Sequence, residues 1–448
     1  MVGKERALEI LETALKHSKG DQTEAVLMAG DSYLTRFATN YIHQNVAEKS
    51  GNLGVRVIVG KKIGRASTNK LDAEAIKRAV AEAYRVALLQ PENEDFKSLP
   101  GPRPVQEVEG SHATATADFS PEERARAVRA IVNQSKAKGF ESSGAFSTSA
   151  TQVAVANSLG VRAYHRFTNA NISTVVMSDT SSGYGSQMST DASEIDAVEV
   201  GRVAVAKCAM SQESIKAEPG EYTVILEPEA VGDMMMFLGY LGFSAQAYQE
   251  GRSFVCDNLG NKVTGENISI WDDGLDPAGM PLPFDFEGVP KRKVELITNG
   301  VARGLVWDSY TAGKEEDQES TGHAIPGFHG FSGPFPLNLM MNSGDSSLED
   351  MVKNTDRGIL VTRFHYTNPV HPVKTLITGM TRDGTFLIEG GKVKSAVKNF
   401  RFTQSILEAL SRVEMISSDR KLVGGFFGGS LVPALKINGF NFTGVTEF

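Results

Sequence analysis

Cysteine is nearly absent: the 448 residues hold two, Cys208 and Cys256, far apart and in no metal or redox spacing. That excludes a disulfide framework and a cysteine-based zinc module, and predicts two reduced thiols in a cytoplasmic protein. No run of about 18 apolar residues occurs, so no ordinary membrane helix is expected. The opening stretch "MVGKERALEILETALKHSKG" lacks an apolar h-region and does not read as a signal peptide. Lysine and arginine are outnumbered, 46 against 54 acidic residues, for a formal net charge of -8. Neutralising nucleic-acid phosphates needs the opposite balance, so no nucleic-acid partner is expected.

Several catalytic signatures are missing as well. "GVRVIVGKKIG" has the wrong spacing for a phosphate loop and reads as a hairpin. No G-x-G-x-x-G opens a helix, and no G-x-S-x-G elbow exists; "FGGSLVP" and "HGFSGP" are Gly-rich turns. Zinc peptidases pair histidines that hold the metal with a glutamate that activates its water. Here the eight histidines are followed by Ser, Gln, Ala, Arg, Ala, Gly, Tyr and Pro, never by Glu.

What is present is ordinary globular material, 41% apolar and 22% charged, in a chain long enough for two or three domains. The first helix carries Leu8, Leu11 and Leu15 on one stripe. Strands follow in "AVLMAGDSYLTRFATNYIHQNVAEKSGNLGVRVIVGKKIGRASTN", with turn signals at "AGDS" and "SGN" and a hairpin at Gly60-Lys61-Lys62. Asp72 caps a helix with Ile76, Val80, Tyr84 and Leu88 on one face, and Pro91 stops it. An exposed Pro- and acid-rich linker spans about residues 91–111. Ser120-Pro121-Glu122-Glu123 is a capping box for a helix burying Val128, Ile131 and Val132. Alternating strands then turn at Asn157-Ser158-Leu159-Gly160, and a Gly/Ser-rich turn, "SSGYGS", leads to a helix over about 195–210.

The strand "GEYTVIL" runs into a helix over about 233–251, and from about 253 onward the pattern is mainly β, with one helix in "TQSILEALSRVEMI" and a last strand or hairpin in "VPALKINGFNFTG". The fold class is therefore α+β: helix and antiparallel-sheet units at about 1–90 and 112–215, forming residues 1–215, followed by a β-rich domain over 216–448. Four histidines fall in the second half, His323, His329, His365 and His371. These four and Asn368 are the substrate-groove candidates. Asp272 and Asp273 in "WDDG", and Asp383 and Glu389, read as turn-forming acids.

Several segments together resemble one family, TldD/TldE (PmbA), whose older name is modulator of DNA gyrase. "LGVRVIVGKKIGRAST" before a capped helix resembles its N-terminal hallmark, and "VAVANSLGVRAYHRFTNANIS" its middle segment. "WDDGLDPAGMPLPFDFEGVPKRKVELITNGVARGLVWDSYTA" is the most specific match, and "NPVHPVKTLITGMTRDGTFLIEGGKVKSAVKNF" resembles its C-terminal pattern. The likeness runs from about residue 25 to the end.

The resemblance implies a metallopeptidase system acting on extended or unfolded peptides. TldD-type members carry His-Glu-x-x-x-His on the helix after the strand matched by "GEYTVILEPEAV", with a further zinc ligand from a cysteine near the C-terminus. Here "MMMFLGYLGFSAQAYQ" offers no histidine and "VGGFFGGSLVP" no cysteine. The resemblance therefore implies the TldE (PmbA) type: no catalytic residue and no metal or cofactor in this chain, zinc in a TldD-type partner, and a shared peptide channel. Two other readings stand beside it. One is an independent metallopeptidase built on the four histidines. The other is a homodimeric peptide binder without catalysis.

Overall fold

In the computed structural model, which describes residues 2–326, 333–425 and 428–446, the strand segments of the first half join into one sheet. The order of elements is α1 (Lys4–His17), β1 (Gln22–Ala38), β2 (Tyr41–Val59), β3 (Lys62–Thr68), α2 (Ala73–Leu89), α3 (Thr114–Ala117), α4 (Pro121–Ala137), β4 (Glu141–Asn157), β5 (Arg162–Met177), β6 (Ser182–Ser189) and α5 (Ala197–Met210). The sheet runs β3-β2-β1-β4-β5-β6, antiparallel throughout. Strand alternation sends Ala25, Leu27 and Ala29 to α1 and α2, while Val26 faces the opposite side and packs with Leu282, Phe284 and Phe286. The helices thus cover one face, and loops from the second half cover part of the other.

Several local expectations hold. Asp72 accepts from the Ala75 amide, and Ser120 and Glu123 form the reciprocal capping box. Others are corrected. "AGDS" and "SGN" lie inside the long strands β1 and β2, and the chain turns instead at Thr39 and Asn40, both at positive φ. Gly30 is a close-approach residue: a Cβ there would lie 2.8 Å from the Ala150 carbonyl oxygen. Leu88 is exposed, because the buried stripe of α2 runs through Ile76, Val80, Ala83 and Ala87. The linker is anchored, with Phe96 and Leu99 buried against Ile58.

"SSGYGS" is not a turn but the start of the edge strand β6. Its glycines let α5 lie against the strand backbone. A Cβ on Gly183 would sit 2.2 Å from the Ala204 carbonyl oxygen and 2.4 Å from the Cys208 nitrogen. Gly183→Ala is therefore expected to destabilise the chain by at least about 1–3 kcal/mol, the usual cost of overpacking, and to lower the midpoint of thermal unfolding.

The second sheet begins with β7 (Gly220–Leu226), which leads into α6 (Pro228–Gly242) and the short α7 (Ala245–Gln249). Its other strands are β8 (Ile270–Asp272), β9 (Val294–Thr298), β10 (Val301–Ala302), β11 (Asn338–Met341), β12 (Arg357–His371), β13 (Leu376–Glu389), β14 (Lys392–Ala396), β15 (Phe400–Ser405), β16 (Val413–Gly425) and β17 (Gly428–Val445). The path β17-β15-β13-β12-β7 closes on itself, because β7 pairs with β12 on one side and β17 on the other. Closure removes free edges. The ring is plugged by buried phenylalanines: the centroids of Phe364 and Phe402 lie 4.3 Å apart, and those of Phe400 and Phe442 4.5 Å apart.

The molecule is mixed α+β, as its patterning predicts. The helix after β7 starts at Pro228, five residues earlier than expected, because proline suits the first helical turn, where no amide bond is needed. The helix expected in "TQSILEALSRVEMI" is only Ile406–Ser411, with strands on both sides. "VPALKINGFNFTG" belongs to one long strand, β17. Among the described residues no helix is long and apolar enough to cross a membrane.

Candidate functional site

Helix α6 follows β7, where the family resemblance implies a zinc motif in TldD-type members. Set on the spacing His-Glu-x-x-x-His, its first residues read Pro228-Glu229-Ala230-Val231-Gly232-Asp233. On that spacing a glutamate, Glu229, falls second, and neither end holds a histidine. Glu229 and Asp233 stand four residues apart, hence on one face. Glu229 accepts hydrogen bonds from Ser186 of β6, at 2.9 Å, and from the Lys421 ammonium of β16. Burial works to raise the Glu229 pKa, but Lys421, Lys207 and Ser186 together hold the carboxyl below its ordinary value. Asp233 is bound by the Thr367 hydroxyl and pushed up by burial. Just before the helix, Glu227 is buried and paired with Lys207 of α5.

These residues do not fit a zinc ion. Zinc of the expected kind takes imidazole or thiolate donors, and the rest of α6 is Ala, Val, Gly, Met, Phe, Leu and Tyr. The charge of Glu229 is already matched by Lys421. The hairpin arm that the family resemblance marks for a cysteine meets the helix as Gly425 beside the Met236 sulfur. Among the described residues, no group of three or more His, Cys, Asp or Glu could hold a metal ion.

A large concavity lies elsewhere, between the uncovered face of the first sheet and loops of the second half, with a volume of about 1020 Å³. Its charged wall follows from strand register. Glu24 of β1 stands opposite Arg56 of β2, which stands opposite Arg65 of β3. Arg56 bonds Glu24 at 2.8 Å and Glu287 at 2.9 Å, joining the first sheet to the second half of the chain. Glu287 also accepts from the Ser309 amide. Burial, the largest influence, pushes Glu24 above the usual carboxylate range. Burial and the neighbouring Glu287 charge push Asp308 up to about 6 and Asp285 up to about 8. Arg65 has its pKa lowered by burial and by the nearby Arg56 charge.

Behind this wall sits a second polar group. The Nε2 of His323 lies 2.8 Å from a carboxylate oxygen of Asp272, and the other Asp272 oxygen accepts from the Asn338 amide at 2.7 Å. The Nδ1 of His323 faces the Thr321 carbonyl oxygen at 2.9 Å. Lys291 is buried beside them, with no hydrogen-bond partner for its ammonium. Burial lowers the pKa of both Lys291 and His323.

The groove candidates therefore separate. His323 is buried and held by Asp272 and Thr321, not presented to a groove. His329 lies outside the described residues. His365, Asn368 and His371 sit on the hairpin arm of β12 and β13, where Asn368 and His371 are exposed beside Tyr366 and Val370. The side-chain amide of Asn368 donates to the Tyr366 carbonyl oxygen. Of the acids read as turn formers, Asp273 is one, accepting from the Leu275 amide. Asp272 instead is a fully buried partner of His323. Asp383 lies within β13, buried, and pairs with Arg363 at 2.7 Å, so it too is a correction. Sequence reading missed Glu24, Arg56 and Glu229. The one available signal was a charge at an inward strand position, as in "TEAVLMAG".

Comparison with known proteins agrees on the whole chain. Residues 219–444 match the PmbA/TldA metallopeptidase C-terminal domain, residues 23–87 match its domain 1, and residues 115–211 match its central domain. A metalloprotease TldD homologue of Buchnera aphidicola is 25% identical over 429 residues, covering 88% of this chain and 86% of the relative. A metalloprotease PmbA homologue of Haemophilus influenzae is 25% identical over 407 residues, covering 87% and 86%. The crystal structure of TldE from Thermococcus kodakarensis superposes with a TM-score of 0.89 at 23% identity, over 98% of this chain and all of that one.

Proposed function

Since the chain belongs to the PmbA/TldA metallopeptidase family, we propose that it is the member of a two-subunit peptidase that holds no zinc itself. On this reading it encloses an extended peptide, while a relative bearing His-Glu-x-x-x-His supplies the zinc. The observation that carries the reading is the chemistry of α6. Pro228 has no donor to offer, Glu229 is neutralised by Lys421, and Asp233 is bound by Thr367. A glutamate held by an ammonium cannot take a proton from a metal-bound water as a free general base does.

Glu24, Arg56 and Glu287 give the chain a rigid wall on which a partner's channel can be completed. Zinc, when bound in that partner, supplies the activated water; this chain's contribution is to hold peptide and exclude bulk water. Elemental analysis of untagged chain with added zinc, followed by a peptidase assay with and without a co-expressed relative carrying the motif, tests the reading. The expected result is no stoichiometric zinc and no cleavage by the chain alone, with cleavage in the pair. One zinc per chain, or cleavage by the chain alone, overturns it.

A further inference from the structure

We infer that Met188, Met236 and Met280 are a peroxide-modification site: their sulfurs clasp the end of the β16–β17 hairpin, and oxidising them releases it. The inference stands apart from the subunit reading above.

Glycine makes room for the clasp. Along the hairpin Gly424 stands opposite Gly429, and Gly425 opposite Gly428. Directly opposite residues of an antiparallel pair turn to the same face, and successive residues to opposite faces. Gly424 and Gly429 therefore leave a gap on one face, and Gly425 leaves one on the other. Thioethers fill these gaps. A Cβ on Gly424 would lie 3.0 Å from the Met188 sulfur, and one on Gly429 would lie 3.0 Å from the Met280 sulfur. On the opposite face, a Cβ on Gly425 would lie 3.4 Å from the Met236 sulfur. Alternation puts Val423 on that second face too, and its Cγ1 packs against Gly232, one helical turn before Met236.

The sulfurs reach the hairpin from three elements. Met188 belongs to β6 of the first sheet, Met236 to α6, and Met280 to the loop between β8 and β9. Met280 is placed by its amide, which donates to the Asn338 side-chain oxygen at 3.0 Å. Beyond its ladder with β17, the arm of β16 is bonded through Lys421, which meets Glu229 and Ser186. Among the described residues, 422–425 make no hydrogen bond outside that ladder. Dispersion contact with the thioethers is what fixes this end.

Peroxide reverses that contact. The sulfur attacks one peroxide oxygen, an S–O bond forms as the O–O bond breaks, and the other oxygen leaves as water. Sulfur is oxidised and the peroxide reduced. The sulfoxide is polar and accepts hydrogen bonds, so it favours water over a hairpin backbone already paired in its ladder. Accessibility grades the methionines. Met177 and Met210 are exposed and the clasp residues half-buried, while Met234, Met235, Met340, Met341 and Met351 are buried.

The test treats the full chain with hydrogen peroxide in steps, locating added oxygen by peptide mass spectrometry and following amide hydrogen exchange. Met177 and Met210 should oxidise first with exchange unchanged, then Met188, Met236 and Met280, with the buried five last. As the clasp oxidises, exchange at 422–425 should quicken by at least about tenfold. Exchange at 413–416, on the far side of Lys421, should stay as it was. The combined Met188→Leu, Met236→Leu and Met280→Leu variant keeps apolar volume without the reactive sulfur, and its exchange at 422–425 should ignore peroxide. A Met177→Leu, Met210→Leu variant should respond as the parent does, which keeps the test decisive if the triple variant fails to fold. Clasp sulfurs that oxidise no sooner than the buried ones overturn the inference. So does oxidation of the clasp with exchange at 422–425 unmoved, or quickening that persists in the triple variant.

Discussion

Replacing Arg56 with methionine should lower the thermal unfolding midpoint by roughly 10 °C. Arg56 is the shared cation between two buried carboxylates, with side-chain exposures of 11% for Arg56 and 7% for each glutamate. Removing one partner of a buried pair costs about 3–5 kcal/mol, because the remaining charge has neither water nor counter-ion. For domains of this size each kcal/mol moves the midpoint by about 2–4 °C. Methionine keeps most of the side-chain volume, so the loss reports chiefly charge and not a void.

The pH dependence of that loss has a definite sign. Without Arg56, burial holds the folded-state pKa of Glu24 still further above its unfolded value. A carboxyl raised in this way favours the fold below its unfolded pKa, and that contribution disappears as pH climbs through the folded value. The midpoint gap between Arg56→Met and the parent chain should therefore widen from acidic to neutral pH. Calorimetry at several pH values would show it, and a gap that stays constant would mean that Glu24 and Glu287 find other partners.

Asp272→Ala is expected to be as damaging, again about 3–5 kcal/mol. The substitution strips acceptors from the His323 ring and the Asn338 amide, and removes the anion that most favours the charged Lys291 ammonium. Asp272→Asn keeps the shape and one acceptor, so it should recover part of the loss. Because His323 adjoins Ala324, which lines the cavity, amide exchange at Ala324 and Asn338 should quicken in the alanine variant. Unchanged exchange and an unchanged midpoint would show that Asp272 is not what fastens His323 and Asn338.

Much of the architecture was legible because it is written locally. Capping at Asp72 and Ser120 needs only residues three apart, and strand alternation needs only neighbours. The misreadings share one cause. "AGDS" and "SSGYGS" carry turn residues, yet their glycines serve close packing against Ala150 and α5, which no local pattern reveals. Asp272 and Asp383 likewise look like turn acids, and burial with His323 and Arg363 makes them something else.

By itself, the sequence determined the α+β class, the lack of any His-Glu pair and the family likeness. These depend on periodicity and on residue identity, which survive without coordinates. Only the tertiary structure decided that Glu229 meets Lys421, 192 residues away, and that Arg56 meets Glu287, 231 residues away. It also decided that the second sheet closes through β7, and that His323 joins a buried knot while His365 and His371 sit on a hairpin arm. Such pairings are set by sheet register and by how two layers stack, and burial then requires each charge to find its partner.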